Sequence, residues 1–186
     1  MQQRTKASLV GFLAGLLGSL VLLAALGLIV VYTGNYSVAA TEEHASFVRW
    51  AFNTTFHNSV ERHARHAVAP ESVTPDMIEG GARDYKAMCQ HCHAGPGAER
   101  SEWASGMRPR PPHIAEAAAH WELEEVFWLV RHGVKMTGMP AFGPTHGDRE
   151  LWGIAAFVKE LPAMTPERYT ALADSDKDDS HGGRTH

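Results

Sequence analysis

The five residues Cys89-Gln90-His91-Cys92-His93 constrain this chain more than any other feature. They hold both cysteines of the 186-residue sequence, with a histidine directly after the second. The pattern C-x-x-C-H is the signature of covalent c-type haem attachment. Each thiol can add to one vinyl group of the porphyrin, and His93 then stands beside the iron as a nitrogen ligand. A chain that holds haem in this way builds its core around a large, flat, apolar group. Two other readings of C-x-x-C fit poorly. A thioredoxin-type pair belongs in a βαβ unit, whereas the flanks here have helical patterning. A structural zinc site takes four ligands, usually from two such pairs, and the sequence has no second pair.

The N-terminal third predicts a membrane anchor. Residues 7–41 carry no charge, and Leu9–Val31 would rise about 35 Å as a helix, enough to cross a bilayer core. Arg4 and Lys6 precede it and Glu42 and Glu43 follow it. The positive-inside rule therefore puts residues 1–6 in the cytoplasm and everything after Tyr32 outside. Val38-Ala39-Ala40 resembles a signal-cleavage site, but the apolar run exceeds the ~7–15 residues of a signal h-region. An uncleaved anchor over 7–32 is the expectation. Gly11, Gly15, Gly18 and Leu22 share one face, and Gly11 with Gly15 forms a G-x-x-x-G pair that permits close helix contact. Glycine is also simply frequent in membrane helices. With Lys and Arg totalling 17 against 21 Asp and Glu, and no basic run, nothing points to nucleic acid.

Beyond the anchor, residues 33–73 are expected to form a linker with a short helix outside the membrane. Phe47, Trp50, Ala51, Thr54, Thr55 and Asn58 recur at helical spacing between Glu42 and Ala69, and Pro70 and Pro75 end the pattern. A small domain follows over 74–165, with only a modest core of its own. Its first helix begins near Thr74-Pro75-Asp76 or Gly80 and leads into the cysteine motif. Ala94–His113 is a loop rich in Gly, Pro and Arg. Trp121–His132 is a short helix closed by Gly133, and Val134–Gly147 is again loop. Asp148–Leu161 is the last helix, with Leu151, Trp152, Ala155 and Val158 inward and Pro162 as its stop. Residues 166–186 are expected to be a polar, disordered tail.

The second axial position on the iron decides what such a site does. Met107, Met136, Met139 and the downstream histidines are candidates. In Thr137-Gly138-Met139-Pro140-Ala141-Phe142, Gly138 permits unusual backbone angles and Pro140 stiffens the exit, a good mount for a thioether aimed at iron. Met136 precedes that frame and is the main competitor.

With these residues in place, the segment from about Gly80 to Leu161 resembles a class I monohaem cytochrome c domain. The matching positions are Gly81 and Tyr85, Cys89 to His93, Pro112-His113-Ile114, Gly138-Met139-Pro140, and Leu151-Trp152. Leucine is commoner where Ile114 stands. More broadly the chain is similar to membrane-anchored bacterial cytochromes c with a short periplasmic helix after the anchor. The resemblance implies an all-α domain around one haem c, covalently held through Cys89 and Cys92. It implies His93 as proximal and Met139 as distal ligand. Pro112 would offer its carbonyl to the other ring nitrogen of His93, with Pro111 as the alternative. Ile114, Phe127 and Phe142 would wall the haem or serve as ordinary core. Gly81 would meet Leu151 and Trp152 where the first and last helices cross. Arg108, Arg110 and Lys135 would pair with the haem propionates or form a docking surface. His44, His57, His63 and His66 lack the acids or thiols that would complete a metal site, although Glu61 is near, and are expected at a surface or interface.

The expected function is single-electron transfer without substrate chemistry, at the bacterial cytoplasmic (inner) membrane with the haem domain in the periplasm. Electrons would come from a dehydrogenase or quinol-oxidising complex and pass to a terminal oxidase or soluble carrier. The alternative is an obligate haem-c subunit of a larger membrane redox enzyme, with the anchor and the helix after it as docking parts. A haem enzyme or gas sensor would need an open distal site with polar distal groups, for which His146 is the candidate, and Met139 argues against it.

Overall fold

The computed structural model describes residues 2–179, with side chains for 8–172; Met1 and the last seven residues of the expected tail lie outside the described residues. The described chain is helical, with no strand beyond a single antiparallel bridge between Gly95 and Ala98. It divides into two compact units, Met1–Glu42 and Glu43 onward.

The first unit is one helix, α1, Gln2–Thr33. Its stretch Ser8–Thr33 has a mean hydropathy of 2.6 and is long and apolar enough to cross a membrane. Two hydroxyls within it are satisfied by the helix itself: those of Ser19 and Thr33 donate to the carbonyls of Gly15 and Ile29 at 2.9 and 2.7 Å. That arrangement suits a solvent with no hydrogen-bonding partners.

The second unit begins with α2, Ser46–Ala64. Next comes α3, Pro75–Asp84, whose start carries all the expected signals. Pro75 takes the first helical position, and the Thr74 hydroxyl accepts from the Met77 amide at 3.4 Å. Residues Tyr85–Cys89 then widen into one π-turn before α4, Gln90–His93. A π-turn inserts one extra residue into the helical ladder, and such bulges cluster at functional sites. A short α5, Ile114–Ala117, precedes α6, Leu123–His132, and α7, Asp148–Glu160. The Glu125 and Glu150 carboxylates accept the amides of Glu122 and Gly147 at 2.9 and 2.8 Å, closing the starts of α6 and α7. The final helix is α8, Pro166–Asp179.

Helix α7 is the centre of the unit. Every residue from Leu151 to Val158 is buried. It crosses α3 at a glycine pair so close that a Cβ on Gly81 would lie 2.0 Å from the Gly153 carbonyl oxygen. Leu151 and Trp152 are buried beside that crossing, and Trp152 stacks on Phe127 of α6 with ring centres 3.9 Å apart.

Two expectations change, and one stripe proves to face outward. The boundary at 73/74 does not separate α2 from the rest, because α2 packs on α6 through its second half. Val60 and Ala64 are buried, Phe56 meets Trp121 edge-on at 5.5 Å, and His57 stacks on Trp121 at 4.9 Å. The stripe of Phe47, Trp50, Thr54, Thr55 and Asn58 is helical, but it is exposed. The segment expected as a disordered tail instead forms α8 over its described part. Tyr169 is 3 % exposed within the core, which accounts for a helix in a polar segment.

Candidate haem-attachment site

Cys89 ends the π-turn and Cys92 lies in α4, one helical turn later, so both thiols leave the same stretch of helix. Both are free and half-buried. Burial above all, then the nearby Asp84 and Cys92, pushes the Cys89 thiol up to about 12. Such a thiol stays protonated at neutral pH, the opposite of the activated thiolate of a thioredoxin-type pair. Among the described residues no group of three or more His, Cys, Asp or Glu could hold a metal ion.

His93 closes the motif. Its Nδ1 lies 3.0 Å from the Pro112 carbonyl oxygen. A carbonyl can only accept, so Nδ1 carries the proton and Nε2 keeps its lone pair. Burial lowers the His93 pKa, and the Pro112 bond opposes that in part. The result is a neutral imidazole with one nitrogen fixed and the other available to a metal. The Pro111 carbonyl, the alternative acceptor, takes the Arg100 guanidinium at 2.8 Å instead. The Ser101 amide donates to the His91 carbonyl at 2.8 Å and ties the start of that loop to the motif.

The motif is braced from behind. Tyr85 is 1 % exposed, and its hydroxyl donates to the Ala94 carbonyl at 2.8 Å. Ala94 itself is buried with φ +62° and ψ -162°, a conformation that L-residues rarely adopt, that costs about 1–3 kcal/mol and that turns the chain sharply after His93. From α8 the Tyr169 hydroxyl donates to Gln90 Oε1 at 2.6 Å, inside the cysteine pair, and Lys86 Nζ donates to the Tyr169 carbonyl at 2.6 Å. The Tyr169 ring leaves no room for a Cβ on Gly95, 2.4 Å away. Burial holds both phenols above their usual pKa.

Met139 lies in a loop held at several points. The Val134 amide donates to the Met139 carbonyl at 3.2 Å. The Thr137 hydroxyl donates to the Val134 carbonyl at 2.8 Å and accepts the Met139 amide at 3.1 Å. Beyond Pro140, the Phe142 and Gly143 amides return to the Val130 and Arg131 carbonyls at the end of α6, at 3.2 and 3.0 Å. Gly133, at φ +63°, sits so close to Pro140 that a Cβ would meet its carbonyl carbon at 2.6 Å. Met139 is half-buried against the core, whereas Met136 has φ +60° and is 86 % exposed. The Met107 methyl lies on Gly138.

Residues 76–158 match the family model for cytochrome c oxidase, cbb3-type, subunit III. This segment is a class I c-type cytochrome domain. Such a domain transfers electrons through a covalently bound haem c rather than transforming a substrate. A comparison with curated proteins finds no match. The match runs from α3 to α7 and leaves α1, α2 and α8 outside it.

The other expected residues divide plainly. Ile114 and Phe142 are half-buried against the core of the cytochrome domain, and Phe127 is buried. Arg108 bonds its own loop, at the Ser105 and Met107 carbonyls, and Arg110 and Lys135 are exposed. His146 lies edge-on to Phe142 with its Nδ1 2.8 Å from the Thr145 hydroxyl. The histidines of α2 do not converge: His57 stacks on Trp121 and His63 on Trp128. Arg100, Gln90 and Tyr169 were missed from the sequence. Thr165-Pro166 was the available signal for the last, since Thr165 Oγ1 accepts the Arg168 amide at 3.2 Å as an N-cap.

Proposed function

We propose that this protein is a membrane-tethered c-type cytochrome that carries single electrons through one haem with His93 and Met139 as axial ligands. The observation that carries the reading is the His93–Pro112 bond beside the two free cysteines, because it leaves one imidazole nitrogen ready for iron. The donor set fits haem: two thiols one helical turn apart, a fixed neutral imidazole, and a thioether in a braced loop. Haem supplies a one-electron iron couple when bound, and His/Met ligation raises its potential relative to other ligand sets. Cys89 and Cys92 hold the group by two thioethers. The Nδ1–H of His93 donates a hydrogen bond to the Pro112 carbonyl, which holds the ring orientation, and Ile114 and Phe142 exclude water. The bonds of Thr137 and Val134 keep Met139 from swinging away. Helix α1 anchors the chain in the cytoplasmic membrane, with the haem domain on the periplasmic side. Tethering confines the domain beside its partners, a dehydrogenase or quinol-oxidising complex on one side and a terminal oxidase or soluble carrier on the other.

Carbon monoxide tests the closed iron site. The reduced protein is expected to bind it slowly and incompletely; rapid stoichiometric binding would refute the second ligand.

A second reading is favoured by the family match itself, whose model describes subunit III of a cbb3-type cytochrome c oxidase. In that reading the chain is a fixed haem-c subunit of a larger complex. Extraction in mild detergent separates the two: redox subunits recovered in fixed ratio favour the fixed subunit, and recovery of the haem-loaded protein alone favours the tethered carrier.

A further inference from the structure

The first half of α2 presents an aromatic face that packs on nothing in its own unit. Phe47 and Trp50 are 73 % and 62 % exposed, with ring centres 5.7 Å apart. Ala51, Thr54 and Asn58 continue the face at helical spacing, and no charge lies among these five residues. Near the helix start, Arg49 pairs with Glu43 at 2.7 Å. A different face of the same helix, Phe56, Val60 and Ala64, packs on α6.

We infer that the Phe47–Trp50 face of α2 lies in the headgroup region of the bilayer that α1 spans, so that α2 fixes the cytochrome domain to the membrane surface. This rests on α1 being a retained anchor. Two observations choose lipid over a protein partner. First, the segment between Thr33 and Ser46 is about a dozen residues and reaches at most about 40 Å when fully extended, so α2 cannot leave the neighbourhood of the membrane. Second, the face combines a Trp and a Phe with Ala, Thr and Asn. Trp is a ring that settles at headgroup level, with an apolar body and a polar N–H, and the Thr and Asn beside it can meet water there. Since α2 packs on α6 through its other face, membrane contact at Phe47 and Trp50 would restrict the tumbling of the whole haem domain. The tether would then present the domain to membrane partners in a limited set of orientations.

The test uses the full haem-loaded chain in liposomes of phosphatidylethanolamine and phosphatidylglycerol. Cys89 and Cys92 are occupied by haem, so a new cysteine takes a nitroxide label alone. Three single variants are labelled: Thr54→Cys on the aromatic face, Leu20→Cys within α1, and Glu116→Cys, exposed on α5. Accessibility to oxygen and to a water-soluble nickel chelate is read by electron paramagnetic resonance. The expected result is a Thr54 label intermediate in depth, with an oxygen-to-nickel ratio several-fold above Glu116 and below Leu20. Adding Phe47→Ser and Trp50→Ser should return it to the Glu116 value with the haem spectrum unchanged. A Thr54 label as water-exposed as Glu116, with Leu20 still in lipid, overturns this inference alone. A Thr54 label shielded from both reagents overturns it in favour of a protein partner or a second copy. A Leu20 label in water removes the anchor reading, and this inference with it.

Discussion

Gly80 and Gly81 are neighbours in α3, yet alanine at the two positions should act in opposite directions. A Cβ at Gly81 would lie 2.0 Å from the Gly153 carbonyl oxygen, 2.2 Å from its carbon and 2.6 Å from the Ile154 nitrogen. All three obstacles are backbone, so α3 and α7 would have to separate by more than about 1 Å to restore van der Waals contact. Overpacking of this kind costs about 1–3 kcal/mol, and the upper end applies where no side chain can yield. Alanine recovers about 1 kcal/mol over glycine in a helix interior, which leaves a net loss of about 2 kcal/mol. At Gly80 the nearest atom to a Cβ is the end of the Arg83 side chain, 3.8 Å away, so only the gain of up to about 1 kcal/mol remains. The assay is urea unfolding of the full haem-loaded chain in mild detergent, followed by haem absorbance. With a slope of about 1–3 kcal/mol per molar, Gly81→Ala should lower the midpoint by about 1 M and Gly80→Ala should hold or raise it. Because α3 runs into Cys89 through the π-turn, Gly81→Ala should also reduce the haem attached per chain. Equal midpoints for the two variants would refute the close crossing of α3 and α7.

Three further outcomes follow from the same geometry. Tyr85→Phe removes the hydroxyl that serves the Ala94 carbonyl and should lower stability by about 1–2 kcal/mol in the same urea assay. Tyr169→Ala should cost about 3 kcal/mol, as a buried ring does; no change would mean that α8 is a tail after all. Burial first, then the neighbouring Arg131 and His63, hold the His132 pKa below its ordinary value, with Asp148 opposing. A depressed histidine contributes its full stability above the ordinary imidazole pKa and loses it as the pH falls towards the folded value. Unfolding midpoints should therefore fall as the pH drops below the ordinary imidazole pKa, and His132→Gln should flatten that slope.

Much of the site was legible because its chemistry is local in sequence. The cysteine motif occupies five consecutive residues, and Thr137 to Pro140 frames Met139 with a glycine and a proline whose backbone constraints are intrinsic. The ends of α3 and α6 were marked by Thr74-Pro75 and Gly133 for the same reason. What failed was long-range. Helix α2 carries aromatic residues on more than one face, and its packed face is chosen by rings stacking on Trp121, just before α6, and Trp128 within it, which periodicity cannot reveal. Helix α8 is polar except for a few residues, and its place depends on one tyrosine reaching Gln90, 79 positions away. The π-turn at Tyr85–Cys89 is a single inserted residue with no compositional mark. Arg100 lay in a loop of several arginines, and only the fold distinguishes it by its bond to Pro111.

The electronic spectrum of the oxidised protein tests the proposed iron site most directly. A methionine sulfur bound to ferric haem gives a weak far-red band. The wild-type protein should show it, Met136→Ala and Met107→Ala should keep it, and Met139→Ala should lose it while haem stays attached through Cys89 and Cys92. A far-red band that survives Met139→Ala would contradict the assignment of Met139 and move the sixth ligand to another residue.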